Sequence, residues 1–183
     1  MSRAWLAFLT TFCCIAAALA QGGAAPTTHP GTKLNFSPTL GGATFESSAN
    51  QANIASYRYL AGKIQITVQV FDGGRRVAAG SSNPAVIYEF SGEMAEAEQQ
   101  ARAAGLSGFE KPAAPGTCSY GAVVFRCSVY SASTGSGRIY GKLMLTGFRE
   151  SFVRINVEWT QADSMTVADA DKALSAFIPA LMH

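Results

Sequence analysis

The chain has 183 residues, 48% of them hydrophobic, with 14 Lys and Arg against 12 Asp and Glu and a formal net charge of +2. That is enough apolar material for one domain with its own core. The near balance of scattered charges gives no electrostatic basis for holding nucleic acid or an anionic membrane surface.

The first twenty residues set the expected compartment. Met1-Ser2-Arg3 supplies one cation, Ala4 to Ala18 is an apolar run, and Ala18-Leu19-Ala20 offers small residues ahead of Gln21. This is the three-part form of a secretory signal, with cleavage expected between Ala20 and Gln21. The run is short for a transmembrane helix, and no later stretch is long and apolar enough to span a bilayer. A periplasmic or secreted protein is therefore expected. Lipid attachment at Cys13 or Cys14 is the alternative, opposed by the bulky Phe12 where a small residue is wanted.

Cleavage removes Cys13 and Cys14 and leaves Cys118 and Cys127. Two cysteines in an oxidising compartment are expected to pair, and closing this short loop should stabilise the fold by roughly 2–3 kcal/mol. A zinc site would need about four ligands. The two histidines, His29 and His183, lie in the leader and at the last residue. Neither a metal centre nor a cofactor is expected.

Residues 21–33 are rich in Gly, Pro, Thr and Ala and read as a flexible leader. Asn35-Phe36-Ser37 is a glycosylation sequon. The domain is expected over residues 34–183. Tyr57-Arg58-Tyr59 marks a short strand, and Ala61-Gly62-Lys63 turns it into a second, in which Ile64, Ile66, Val68 and Val70 alternate with polar residues. A helix is expected from Pro84 to about Ala104, capped by Ser82 or Asn83, with Ile87, Phe90, Met94, Ala97, Ala101 and Ala104 on its apolar side and Gly105 just past its end. Three strands follow, over Tyr120 to Ser131, Arg138 to Thr146 and Ser151 to Thr160, joined by short turns as an antiparallel meander. A closing helix spans about Val167 to Leu181, with Thr166 and Asp169 placed for a capping box. The pattern predicts an α+β domain, a curved antiparallel sheet packed by two amphipathic helices.

In its order of elements the chain resembles the Mog1/PsbP-like proteins. The resemblance rests on Pro38-Thr39-Leu40-Gly41-Gly42, Tyr57-Arg58-Tyr59 and the strand Ile64 to Phe71, then on the hairpin Arg138 to Trp159 and a final helix carrying Phe177-Ile178. It covers roughly Leu34 to Leu181 and shares no catalytic or ligand-binding motif, so no functional residue is carried over. It implies an adaptor or binding scaffold, as in extrinsic and assembly subunits of photosynthetic complexes, a nuclear-transport factor and secreted bacterial proteins.

For catalysis the sequence offers little. A histidine base is missing from the body of the domain, and G-x-S-x-G, Walker and H-E-x-x-H motifs are absent. Gly41-Gly42 and Gly73-Gly74 read as turns. Glu158 and Glu150 are the one conceivable carboxylate pair for a hydrolase. Alternation puts Arg126, Ser128 and Tyr130, then Arg138, Tyr140 and Lys142, then Phe152, Arg154, Asn156 and Glu158 opposite the apolar residues of their own strands. If these sets share a face, Arg126, Tyr130, Arg138, Tyr140, Lys142, Arg154 and Glu158 form a recognition patch; the plain reading is the wet side of an antiparallel sheet. The expectation is a non-enzymatic exported module that binds a protein or envelope component. The alternatives are a carrier of a small apolar ligand between helix and sheet, using the space left by Gly141, and a carboxylate-dependent hydrolase.

Overall fold

The computed structural model describes residues 28–183; the expected cleavage site at Ala20 and Gln21 lies outside them. Nine strands form one antiparallel sheet: β1 (Thr39–Leu40), β2 (Ala43–Gln51), β3 (Ile54–Ala61), β4 (Ile64–Phe71), β5 (Ser107–Glu110), β6 (Gly116–Tyr120), β7 (Val123–Thr134), β8 (Gly137–Phe148) and β9 (Ser151–Thr160). Helix α1 (Pro84–Ala103) lies between β4 and β5, and α2 (Val167–Met182) closes the chain. The strand order is β1-β2-β3-β4-β9-β8-β7-β5, with β6 also on β7. The long β7 thus pairs with β6 along Val123–Cys127 and with β5 near Ser131 and Ser133. The α+β class expected from the pattern is what the structure has. Among the described residues no helix is long and apolar enough to cross a membrane.

The sheet has a core on each side. Odd residues of β9 (Val153, Ile155, Val157, Trp159) and even residues of β4 (Ile64, Ile66, Val68, Val70) pack under α2, which contributes Ala170, Leu174, Phe177, Ile178 and Leu181. On the opposite side Phe71, Leu143, Leu145 and Phe152 pack under α1, which contributes Val86, Phe90 and Met94. Each of these large side chains removed from water is worth about 1.5–3 kcal/mol.

Both helices begin where the sequence has a capping residue. Asn83 Oδ1 accepts the Ala85 N–H at 2.8 Å, with Pro84 in the first turn. At the other end Gly105 donates to Arg102 O and Leu106 donates to Ala101 O, the paired bonds of a Schellman motif. Thr166 and Asp169 form the expected capping box. The buried stripe of α1 keeps Phe90, Met94 and Ala101 from the expected set, while Ala97 and Ala104 are half-buried. Val86 is inside and Ile87 is 38% exposed, because the buried positions run 86, 90, 94 and 101.

The described residues before β1 are built into the fold. Thr28 bridges Asn35, His29 N donates to Leu34 O, and Thr32, Leu34 and Phe36 are fully buried. Asn35 caps the end of α2: its backbone N–H donates to Leu181 O at 2.9 Å and its side-chain amide to Ala180 O at 3.2 Å. The sequon asparagine therefore serves carbonyls that have no partner within the helix.

The expected Cys118–Cys127 disulfide is not formed; both are free thiols. The register explains this. Cys118 sits opposite Phe125, and Cys127 sits opposite Gly116, so the two cysteines are diagonal neighbours. Diagonal positions on adjacent strands are about 7–8 Å apart, beyond the roughly 4.4–6.8 Å between Cα atoms that a disulfide spans. A thiol–thiol hydrogen bond joins them instead. It raises Cys118 and lowers Cys127 relative to an ordinary thiol, with burial also acting to raise both and the nearby Lys142 ammonium to lower both.

Candidate functional site

Two tight turns decide which side chains share a face. Thr134 pairs with Gly137 and Phe148 pairs with Ser151, so both hairpins turn on two residues. Cross-strand partners point to the same side of a sheet. Even residues of β7 therefore sit with odd residues of β8 and even residues of β9. Tyr130, Gly141 and Glu158 form one such row, continued by Gln65 on β4. Ser128, Leu143, Asn156, Thr67 and Arg58 form the next, and Arg126, Leu145, Arg154, Gln69 and Ser56 the third.

The expected seven-residue patch is consequently split. Arg126, Tyr130, Arg154 and Glu158 lie on the α1 side. Arg138, Tyr140 and Lys142 lie on the α2 side. There Lys142 is buried and donates to Tyr120 Oη at 2.8 Å and to Asp171 at 2.5 Å, clamping α2 to the sheet. Tyr140 stacks on Trp159 at 5.8 Å between centroids, and Arg138 pairs with Glu110 on β5 at 2.8 Å. Glu150 is exposed in the β8–β9 turn. Eight residues separate it from Glu158, about 26 Å of extended chain at ~3.3 Å per residue. The two carboxylates form no pair.

What the α1 side does hold is a cleft of about 330 Å³, lined by Tyr130, Arg154 and Glu158 together with Arg58, Thr67, Gln69, Asn156 and Leu143. The first half of α1 is seated on the sheet by Val86, Phe90 and Met94. Its later residues Glu93, Glu96, Ala97 and Gln100 form one wall of the cleft, and Ser47, Ser48 and Ser56 of β2 and β3 form the other. The segment joining β4 to α1 reaches this side by crossing the β8–β9 hairpin, where Val77 donates to Glu150 O and Gly80 to Gly147 O. A Cβ at Gly147 would stand 2.1 Å from Ala78 O, so glycine is what lets the segment pass.

Gly141 has a similar role on the floor. A Cβ there would fall 2.1 Å from Tyr130 Cζ; the space expected to admit a ligand is filled by the tyrosine ring. That placement brings Tyr130 Oη to Asn156 Oδ1 at 3.1 Å and to Glu158 Oε1 at 3.4 Å, where it donates. Asn156 Nδ2 donates to the same Glu158 oxygen at 3.0 Å. Glu158 is 3% exposed. Burial pushes its carboxyl above the ordinary glutamate range, while the two donors and the Arg58 charge draw it part of the way back. Tyr130 is raised too, first by burial and then by the neighbouring Glu158.

The guanidinium in the next row but one is engaged on both sides. Arg154 forms an ion pair with Glu93 of α1, and its Nε donates to Gln69 Oε1 at 2.6 Å. Gln69 in turn donates to Ser56 Oγ at 3.1 Å. This network ties α1 to the sheet beside the cleft. Glu158 is different. Both of its hydrogen bonds fall on Oε1, and among the described residues Oε2 accepts none. Thr67 Oγ1, between Arg58 and Asn156 in the middle row, is buried with no partner.

Arg58, Thr67, Gln69 and Glu93 were not expected as site residues. Arg58, Thr67 and Gln69 sit at the polar positions of two alternating strands, so their sidedness was readable but not the rows they join. Among the described residues no cluster of three or more His, Cys, Asp or Glu side chains is placed to hold a metal ion. Comparison of the sequence with protein-family models and with curated proteins finds no match.

Proposed function

We propose that the protein is an exported, non-enzymatic binding module that holds a small polar molecule in the cleft between α1 and the sheet. One observation carries this: Glu158, buried and held by Tyr130 and Asn156 through a single oxygen, lines a cavity with its other oxygen unpartnered. Among the described residues Oε2 accepts no hydrogen bond, and it opens to the cleft, so a donor on a bound molecule can reach it directly. The volume lies at the small end of ligand pockets, ~300–1,000 Å³. Its serines, amides and charged groups, set beside the carbon of Tyr57, Ala97 and Leu143, give a polar occupant hydrogen-bond partners that the apolar ligand of the alternative reading would not use. Docking of a protein or envelope component on a cationic, aromatic sheet face loses support, because Tyr130 and Lys142 are buried and on opposite sides. The Mog1/PsbP-like layout and the signal-like leader are part of this reading, which places the module in the periplasm or outside the cell.

The test is native mass spectrometry of protein purified from its own host. The reading expects a chain beginning at Gln21 that carries a small-molecule adduct, lost in Glu158→Gln. A chain still beginning at Met1 would end the export part. Wild-type protein free of any adduct, and yielding no small molecule on denaturation, would end the binding part.

A further inference from the structure

We infer that the molecule held in this cleft carries a protonated primary amine, which donates to Glu158 Oε2. The inference rests on the cleft being a binding site and goes on to name what it selects.

Charge is the first argument. The lining brings three carboxylates, Glu93, Glu96 and Glu158, against two guanidinium groups, Arg58 and Arg154. Arg154 and Glu93 neutralise each other in their ion pair. With every group ionised the cavity is one negative charge in excess, and the deepest carboxylate is Glu158.

Hydrogen bonding is the second. Tyr130 and Asn156 already serve Oε1, and both favour the ionised carboxylate. The remaining oxygen is an acceptor with nothing to accept. An ammonium supplies donors and a compensating charge, and charge-assisted bonds of this kind are about twice as strong as neutral ones. A hydroxyl would donate one hydrogen bond and bring no charge, leaving Arg58 as the nearby cation acting on Glu158. A carboxylate or phosphate would meet Glu158 as a like charge.

Three linear probes of one length isolate the effect: 4-aminobutan-1-ol, butane-1,4-diol and 4-hydroxybutyrate. Each is titrated into the protein while the Asn156 side-chain amide and the backbone amides of Arg58 and Glu158 are followed by NMR. The aminoalcohol should shift these signals saturably and bind at least about tenfold more tightly than the diol or the acid. Its affinity should fall as pH drops from about 8 to about 5, since protonating Glu158 removes the acceptor. The charged and titratable groups around that carboxyl are Tyr130 from β7, Arg58 from β3, Arg154 from β9, and Glu93 and Glu96 from α1. Glu158→Gln should abolish both the preference and the pH dependence while its spectrum keeps the dispersion of a folded chain. Equal or tighter binding of the diol or the acid would overturn the amine and leave the cleft a binding site. So would affinity that rises as pH falls, which identifies a protonated Glu158 donating to the ligand. No shift of cleft signals by any probe at millimolar concentration also overturns the amine; the adduct experiment then decides separately whether the cleft binds anything.

Discussion

At the scale of single residues, Glu158 sets what the α1 side of the sheet can do. A carboxylate removed from water is expensive unless it is paired and hydrogen-bonded, and here one oxygen is served while the other is not. Its folded-state affinity for a proton is therefore above that of the unfolded chain. The sign follows from linkage. The folded protein binds the proton more tightly, so the stabilisation is complete below the ordinary glutamate value of 4.5. It is lost as pH rises through the elevated folded value. Asp163 and Asp169 are drawn the other way, chiefly by hydrogen bonds from Thr160 and Thr166, and add stability as pH rises through the acid range. Glu158→Gln keeps an acceptor for Tyr130 and Asn156 and removes the titration. In the absence of ligand the variant should match wild type near pH 4 and melt higher than wild type at neutral pH. Melting curves across that range measure it; a variant that melts lower at neutral pH would mean the carboxylate is compensated inside the fold.

At the scale of elements, the hairpin turns decide where the site lies. The alternation within β7, β8 and β9 is plain in the sequence, as are both helix caps and the Ile64–Val70 strand. What cannot be read from alternation is how strands are phased against one another, since a one-residue change in turn length sends a whole strand's side chains to the other face. Ser133 to Gly137 and Gly147 to Glu150 each offer several turn lengths. The structure turns on Gly135-Ser136 and on Arg149-Glu150, the latter pair both at positive φ (46° and 67°) without glycine. This is why Lys142 is under α2 while Glu158 is under α1. The serine-rich β2 was illegible for a different reason: Ala43–Gln51 is an outer strand with little buried surface and no apolar alternation to betray it. Gly141 tests the phasing directly. In Gly141→Ala the new Cβ must displace the Tyr130 ring, and overpacking of this kind costs about 1–3 kcal/mol. Combining it with Tyr130→Ala should cost less than the sum of the two single changes, because the clash disappears with the ring. Additive costs in a double-mutant cycle from urea unfolding would place Tyr130 elsewhere.

At the scale of the whole molecule, one sheet serves two cores of unequal size. The α2 side is lined continuously by β3, β4, β8 and β9 and sealed by Leu34 and Phe36 from the segment before β1. The α1 side is smaller, with Val86, Phe90 and Met94 as the helix's large buried side chains, and part of its area is given over to the polar cleft. Helix α1 should therefore open locally at less cost than α2, and opening it removes a wall of the cleft. Phe90→Ala and Phe177→Ala delete comparable buried rings, each worth about 3–5 kcal/mol, yet they should act differently. Phe177→Ala weakens the larger core and should lower amide-exchange protection across the sheet and both helices together. Phe90→Ala should release α1 amides and any cleft-bound molecule under conditions in which α2 and the central strands β4 and β9 stay protected. Hydrogen exchange followed residue by residue separates the two patterns. If α1 and α2 lose protection equally in Phe90→Ala, the cores open as one unit, and the cleft has no independent gate in α1.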